Sequence, residues 1–192
     1  MICAIMQPSY LPWAGYFNLI ATSDVFVLLD NAQYQKNSWH NRNRILLNQS
    51  AHWITVPVKK SSLNQTILNS KIDNSQSWRK KHINQLQQTY AKFPFSGSVV
   101  EICQKLESAK ANNLAELNIE MICWLMRKLG IDTKIMLSSE MNIDSAIMSF
   151  LPHPRQFFSG KYDNFTITTD ALKIKLLGMI ILPKGILVHF KP

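Results

Sequence analysis

Cationic and aromatic side chains that could bind an anionic ligand lie close together between positions 36 and 44. Lys36, Arg42 and Arg44 could grip phosphate or carboxylate, and a guanidinium group suits bidentate contacts with either. Trp39 lies among them and could stack on a flat part of the same ligand. The pattern favours residues 35–44 as a polar lid over a ligand, with a solvated loop of no specific role as the alternative.

Two further residues could accept a proton during a reaction. Asp30 directly follows an apolar run, and His40 lies within the polar segment. Either side chain could act as a general base if it reached the hydroxyl or amine group of an acceptor molecule. We predict both as catalytic candidates. The plain alternatives are a carboxylate that caps a turn and a loop histidine that is only solvated.

Two short apolar runs, at residues 2–6 and 25–29, are expected to position these groups. Each is rich in Ile, Val or Phe without sustained polar alternation, which is typical of buried parallel strands. The intervening residues leave room for a loop and a helix over 16–21, so the pattern predicts a βαβ unit. Ligands of such units bind beyond the carboxyl ends of the strands, where a helix N-terminus also favours anions.

The rest of the chain predicts further strands and helices. Strands are expected over 51–60, 68–73 and 133–137, with a turn at 48–50. Helical periodicity predicts a helix between Ser77 and Pro94 and two more over 98–107 and 113–129, the last ended by Gly130. The whole predicts one α/β domain over residues 1–145. Its sheet is expected to be Rossmann-like, open and mostly parallel, flanked by helices, with an additional helical segment. Residues 146–192 show no clear helical or strand pattern, so we predict an irregular C-terminal segment there.

Charge and composition narrow the class of ligand. The 21 Lys and Arg against 12 Asp and Glu give a net charge of +9, which suits a phosphorylated or otherwise anionic ligand. No tract of five or six basic residues and no nucleic-acid-binding motif is present, so a nucleic-acid partner is not expected.

The cysteines and the lengths of the apolar runs bear on metal binding and on localisation. Cys3, Cys103 and Cys123 lie in apolar patterns without metal-ligand spacing, so we predict buried thiols and no metal site. No apolar run is long enough to span a bilayer, and the first residues lack the features of a signal peptide. These features predict a cytoplasmic protein without a membrane span.

A linked set of residues in the first 145 positions matches the pattern of a known family. The matching residues are Ala4-Ile5-Met6-Gln7-Pro8, Pro12, Gly15-Tyr16-Phe17, Leu19-Ile20, Asp24, Phe26, Asp30, Gln33-Tyr34, Trp39, Asn41-Arg42-Asn43-Arg44-Ile45, Trp53-Ile54-Thr55-Val56-Pro57 and Lys59. On these residues the chain resembles the WbqC-like family of bacterial proteins, which is associated with surface-polysaccharide gene clusters of the O-antigen, lipopolysaccharide type. His40 lies outside the matched set.

The resemblance implies transfer of an aminoacyl or acyl group, glycine being one proposal, to an amino sugar or nucleotide sugar in surface-polysaccharide biosynthesis. An activated acyl or aminoacyl donor or a nucleotide sugar is then expected as a substrate, and no other cofactor is identified. The predicted substrate-binding residues are Gln7, Tyr10, Trp13, Gly15, Tyr16, Gln33, Tyr34, Lys36, Trp39, Asn41, Arg42, Arg44 and Lys59. The alternative is a non-catalytic protein that binds an anionic ligand or nucleotide sugar with the same residues.

The opening is also similar to that of nucleotidyltransferases and pantothenate synthetase. Trp13-Ala14-Gly15-Tyr16 occupies the place of their HxGH-type motif, so both histidines are absent. Because those histidines bind nucleotide phosphate, their absence argues against adenylylation or cytidylylation by that mechanism.

The C-terminal segment departs from the WbqC-like pattern. Phe157-Phe158-Ser159-Gly160 stands where the family has a sequence similar to YLSG followed by a Gly-rich turn and an aspartate. One hypothesis is a disrupted reading frame between residues 147 and 184, which would remove site residues contributed by this segment.

Overall fold

The computed structural model describes residues 3–47, 50–60 and 64–141. Strands and helices alternate in the first part of the chain, and three helices follow in succession before the last strand. In chain order the elements are β1 (Cys3–Met6), α1 (Ala14–Ala21), β2 (Val25–Leu28), β3 (Arg42–Leu47), β4 (Ser50–Thr55), α2 (Trp78–Tyr90), α3 (Ser96–Ser108), α4 (Leu114–Leu129), β5 (Lys134–Leu137) and a 3₁₀ turn (Ser138–Glu140).

A three-stranded parallel sheet in the order β1-β2-β5 organises the chain. Met6 lies opposite Leu28, and Leu28 lies opposite Leu137, so the carboxyl ends of all three strands are aligned. The predicted α/β class with a parallel sheet is therefore confirmed. The loops that follow β1 and β2 leave from the same edge of the sheet, as the βαβ pattern predicts.

Helix α1 packs on the sheet through a small aromatic cluster. Tyr16, Phe17 and Ile20 are buried on its inner side, and the ring of Tyr16 lies 5.5 Å from that of Phe26 in β2. Burial of these large apolar surfaces stabilises the β1-α1-β2 unit. The helix begins two residues earlier than the sequence pattern predicts, at Ala14.

The strands β3 and β4 form a separate antiparallel hairpin. Side chains alternate between its two faces: Asn43, Ile45 and Ile54 are buried, whereas Arg42 and Arg44 lie on the other face. The prediction of a polar loop over 35–44 is wrong at its C-terminal end, because residues 42–44 belong to a strand. Burial there alternates with the strand period although residues 42–44 are all polar, so the polarity of the residues alone does not reveal the strand.

Helix α4 carries the clearest confirmed prediction. The side chain of Asn113 accepts a hydrogen bond from Glu116 N at 2.8 Å and caps the helix. Gly130 follows the last turn with φ 66°, a left-handed conformation that only glycine adopts without strain. The inner face of this helix is apolar except for Asn118, which is the one buried polar residue of α4.

Two predicted features differ from the structure. Residues 68–73 form isolated bridges, Val58 with Ile72 and Lys71 with Asn113, rather than a strand. Cys103 is buried and Cys123 half-buried, but Cys3 is exposed because it lies on the open face of edge strand β1. Burial raises the pKa of the Cys103 thiol to about 11, which keeps it protonated and unreactive.

Several predictions fall on residues outside the described part. The turn at residues 48 and 49, the C-terminal segment 146–192 and the hypothesis of a disrupted reading frame all lie there. Within the described residues, no helix has the length and apolar character needed to cross a bilayer.

A buried histidine is expected to make the protein acid-sensitive. His82 in α2 forms a 2.9 Å hydrogen bond with Tyr10 Oη through its Nδ1 atom. Burial lowers the pKa of His82 from 6.5 to about 4. Below pH 6.5 the unfolded imidazole takes up a proton that the folded one does not. The free energy of unfolding should therefore fall by about 3 kcal/mol between pH 6.5 and 4 through this group alone.

Urea unfolding of the wild type and His82→Gln at several pH values measures this contribution. The difference in unfolding free energy between the two proteins should shrink as the pH falls from 7 to 4, because glutamine does not titrate. A difference that stays constant over this range would show that His82 is not the acid-sensitive group.

Candidate functional site

Two loops meet over the carboxyl ends of β1 and β2. The first follows β1 at residues 7–13, and the second follows β2 at residues 29–41. Tyr10 N donates to Trp39 O at 2.9 Å. Asn118 in α4 holds both loops, because its Nδ2 donates to Pro8 O at 3.0 Å and to His40 O at 2.8 Å. These contacts place the first loop, the second loop and α4 in one assembly.

The first loop contains a strained residue that the hairpin holds in place. Leu11 is buried and has φ 45°, in the left-handed region that a bulky side chain rarely adopts. Asn43 in β3 supports this conformation, because its Nδ2 donates to Tyr10 O at 3.1 Å and to Leu11 O at 2.6 Å. Strain of this kind persists only where the surrounding contacts over-determine it, and it is concentrated at binding sites.

His40 lies at the junction of the two loops with a defined tautomer. Its Nδ1 accepts a long hydrogen bond, 3.4 Å, from Gln35 N, so Nε2 carries the proton of the neutral ring. Nε2 then donates to Gln7 Oε1 at 3.1 Å, and the ring of Tyr34 lies 6.2 Å away. Three predicted site residues, Gln7, Tyr34 and His40, are thus brought together, and the imidazole is buried.

Asp30 occupies the carboxyl end of β2 but is engaged with the turn after β5. Its Oδ1 accepts hydrogen bonds from Ser138 Oγ at 2.9 Å and Ser139 N at 3.0 Å, and its Oδ2 accepts from Ser139 Oγ at 2.6 Å. Ser138 Oγ also lies 2.7 Å from Asn31 Oδ1. The buried carboxylate therefore anchors the 3₁₀ turn. The sequence does not point to Ser138 and Ser139 as its partners, because nothing local shows that β5 lies beside β2.

The predicted cationic residues form a stacked cluster with two tryptophans. The guanidinium carbon of Arg42 lies 4.0 Å from the ring centre of Trp53, and that of Arg44 lies 5.3 Å from Trp53 and 5.9 Å from Trp39. The two indole rings are 5.5 Å apart. We call Trp39, Arg42, Arg44 and Trp53 the hairpin platform. Trp53 was not among the predicted site residues; its pairing with Arg44 across the hairpin is the signal that identifies it.

Two predicted substrate-binding side chains belong to the core instead. Tyr10 and Tyr16 have no exposed surface, and burial raises the pKa of both phenols. Tyr16 Oη donates to Gln7 O at 3.1 Å, which fixes the backbone at the start of the first loop. Because no face of either ring is open to a ligand, both residues support the site from below and do not line it.

Trp13 and Gly15 are coupled at the start of α1. A Cβ atom at position 15 would come within 2.5 Å of the Trp13 indole Nε1, so the glycine leaves room for this ring. The indole also packs edge-on against Tyr16, at 5.9 Å, and is half-buried. Gly15 therefore acts by positioning Trp13 over the first turn of the helix.

The remaining predicted residues are spread more widely. Asn41 is buried, and its Nδ2 donates to Val56 O at 3.0 Å, which closes the hairpin base. Lys36 and Gln33 are exposed on the second loop, where Gln33 forms a bridge with Thr66. Lys59 lies elsewhere, in a polar groove of about 610 Å³. The groove is lined by Lys59, Leu68, Asn69, Lys71, Ile72, Asn74, Ser75, Asn112 and Asn113.

The assembled part of the site combines an anion-binding surface with an imidazole. The guanidinium groups can bind phosphate or carboxylate, the indoles can stack on a flat group, and His40 can exchange a proton. In residues 3–47, 50–60 and 64–141, no three His, Cys, Asp or Glu side chains come close enough to hold a metal ion.

Comparison with known proteins gives two matches. The sequence profile of the WbqC-like protein family matches residues 7–156. The chain is also similar to the uncharacterized protein Rv1507c of Mycobacterium tuberculosis, with 37% identity over 134 residues, which is 69% of this chain. The matched region spans 58% of the length of that relative.

Proposed function

Because the chain belongs to the WbqC-like protein family, as the match over residues 7–156 shows, we propose that it is a transferase of bacterial surface-polysaccharide biosynthesis. It moves an aminoacyl or acyl group from an activated donor to an amino sugar or nucleotide sugar. The observation that carries the proposal is that residues 39–44 supply both the anion-binding groups of the hairpin platform and a proton acceptor, His40.

The reaction requires a nucleophile, a leaving group and a proton acceptor. The acceptor's amine or hydroxyl attacks the acyl carbonyl carbon, and a new C–N or C–O bond forms. The bond from that carbon to the donor's leaving group then breaks, and the leaving group departs with the electron pair. The proton released from the nucleophile goes to a base, and from there to the leaving group or solvent.

His40 is better suited to this base role than Asp30. The Nδ1 of His40 accepts a hydrogen bond of 3.4 Å from Gln35 N, which is longer than the hydrogen bonds that Asp30 accepts. Both oxygens of Asp30 already accept short hydrogen bonds from Ser138 and Ser139. We therefore assign the proton to His40 and give Asp30 the role of holding the turn after β5. Gln7 holds the ring in its orientation through Nε2.

The platform arginines serve the donor or the acceptor by binding its negative charge. Neither Arg42 nor Arg44 has a carboxylate within ion-pair distance among the described residues. Each guanidinium edge can bind phosphate or carboxylate on a substrate through two parallel hydrogen bonds. Lys36, exposed on the second loop, adds positive charge near β3.

A non-catalytic binding protein is the second candidate, and one observation favours it. Both ring nitrogens of His40 already have hydrogen-bond partners, Gln35 N and Gln7 Oε1. An imidazole held in this way could serve only to shape the pocket for an anionic ligand or nucleotide sugar.

A transfer assay separates the two candidates. The purified protein is incubated with amino-sugar and nucleotide-sugar acceptors and a panel of donors, comprising acyl-CoA compounds, glycyl-CoA and glycine with ATP. Mass spectrometry of the acceptor reads the outcome. A mass gain equal to the acyl or aminoacyl group is the expected result. Binding of the same compounds without any mass gain would support the non-catalytic candidate, and neither binding nor transfer would overturn both.

A further inference from the structure

The hairpin platform exposes aromatic surface that the packing of the hairpin does not explain. Trp53 keeps 44% of its surface exposed, although an indole gains free energy by burial. Its neighbours Ile45 and Ile54 on the opposite face of the hairpin are 2% and 1% exposed and supply the packing. An exposed tryptophan flanked by two arginines is a composition typical of binding surfaces.

The arginine side chains add a second observation. The Nε atoms of Arg42 and Arg44 are buried and have no hydrogen-bond partner among the described residues. The guanidinium of Arg42 lies at 4.0 Å over the Trp53 ring, at the distance of a stacked pair. The stacked plane holds the guanidinium in one orientation while the outer nitrogens stay available as donors. An arginine held by stacking therefore loses little conformational entropy when it binds an oxyanion.

The spacing of the two arginines suits more than one phosphate group. Arg42 and Arg44 are two residues apart on β3 and face the same side, which separates their Cα atoms by about 6.7 Å. Two guanidinium groups at this separation can converge on adjacent phosphates. The indole of Trp53 lies near both guanidinium groups, and its exposed surface offers a flat area for an aromatic ring.

We propose that the hairpin platform binds the nucleoside diphosphate portion of a nucleotide-linked substrate. The base stacks on Trp53, Trp39 supports the indole from the side, and Arg42 and Arg44 bind the two phosphates. An uncharged sugar would use neither guanidinium, whereas a simple phosphate or carboxylate would leave the exposed indole unused. This inference deepens the proposed function, on which it rests for the choice of a nucleotide sugar as substrate.

Isothermal titration with UDP, ADP, uridine and inorganic diphosphate tests the inference on the full chain. UDP or ADP should bind the wild type more tightly than either uridine or diphosphate. Trp53→Ala should weaken nucleotide binding about 10-fold or more, because base stacking on an aromatic side chain contributes about 1–3 kcal/mol. The same change should weaken diphosphate binding less than nucleotide binding, since the phosphates bind the arginines and not the indole.

Two further variants serve as controls. His52→Ala changes an exposed residue of the same strand on the opposite face of the hairpin, and it should leave the affinity unchanged. Trp53→Phe keeps an aromatic surface and should retain affinity within about 3-fold of the wild type.

The inference is overturned if UDP and ADP do not bind the wild type, or if Trp53→Ala binds them as the wild type does. These outcomes are separable from failure of the proposed function. Transfer activity without nucleotide binding at the platform would leave the transferase in place and remove only the nucleotide site. Nucleotide binding that depends on Trp53, without any transfer, would do the reverse.

Discussion

Replacing His40 with glutamine is expected to lower the rate of group transfer about 100- to 10,000-fold, the usual effect of losing a general base. Glutamine can still hydrogen bond with Gln7, but it cannot accept a proton at neutral pH. The affinity for the substrates should change less than about 3-fold, because the platform arginines are untouched. The measurement is kcat together with KM in the transfer assay that detects product by mass.

The chain offers a matched control for this variant in His52. This residue is an exposed histidine on β4, on the face of the hairpin away from the arginines. His52→Gln should leave both kcat and KM unchanged. If His40→Gln keeps wild-type turnover, the imidazole only shapes the pocket and another group accepts the proton. A parallel rise in KM and fall in melting temperature would instead indicate a structural role for the Gln7–His40 contact.

Removal of both platform arginines, Arg42→Ala with Arg44→Ala, is expected to weaken the binding of inorganic diphosphate at least about 100-fold. Each guanidinium–oxyanion contact contributes about 1.5–3 kcal/mol, and the double variant leaves neither. The single variants should show intermediate losses. Titration calorimetry at constant ionic strength gives the affinities, because exposed charge interactions weaken with salt.

General attraction by the net charge of +9 is the alternative explanation for any loss of anion binding. Arg79 provides the control, because it also stacks on a tryptophan, at 4.6 Å from the ring centre of Trp78, but belongs to α2. Arg79→Ala removes one positive charge and one stacked guanidinium outside the platform. Diphosphate affinity should stay within about 3-fold of the wild type in this variant. Equal losses in the two arginine variants would contradict a specific site.

The central strands and helix ends could be predicted from local sequence because their signals are local. The apolar run at residues 25–28 forms a largely buried strand, and its lack of polar alternation already indicates a parallel partner. Gly130 adopts the left-handed conformation that the end of an apolar helical stripe predicts. In each case a few adjacent residues are sufficient to determine the backbone conformation.

The site could be predicted only where its residues are neighbours in sequence. Residues 39–44 are close along the chain, and the structure keeps them together. The partner of Tyr10 is His82, 72 residues away, and the partner of Asp30 is Ser138, 108 residues away. Such contacts depend on how helices and strands pack, which local sequence does not show. Polarity and loop position therefore suggested a ligand role for Tyr10, although its side chain is buried in the core. Trp53 was missed because the hairpin register that places it beside Arg44 was not considered.

The site is supported by the hairpin, by two buried asparagines, and by buried side chains under the loops. The hairpin platform is held by β3 and β4, and the loops beneath it are held by Asn43 and by Asn118. The buried phenols of Tyr10 and Tyr16 and the anchored turn at Ser138 lie below these loops. Residues that support the loops and residues that face the ligand can therefore be distinguished by burial, and only the second group should alter affinity without altering stability.

Hydrogen–deuterium exchange of the wild type with and without UDP-N-acetylglucosamine tests most directly where a ligand binds. Amides of the two loops and the hairpin should exchange more slowly with ligand, since binding suppresses local opening. We expect protection in peptides covering residues 7–16, 33–44 and 53–55. Protection confined to residues 59–75 and 112–113 would place the ligand in the polar groove beside Lys59 and contradict the proposed site.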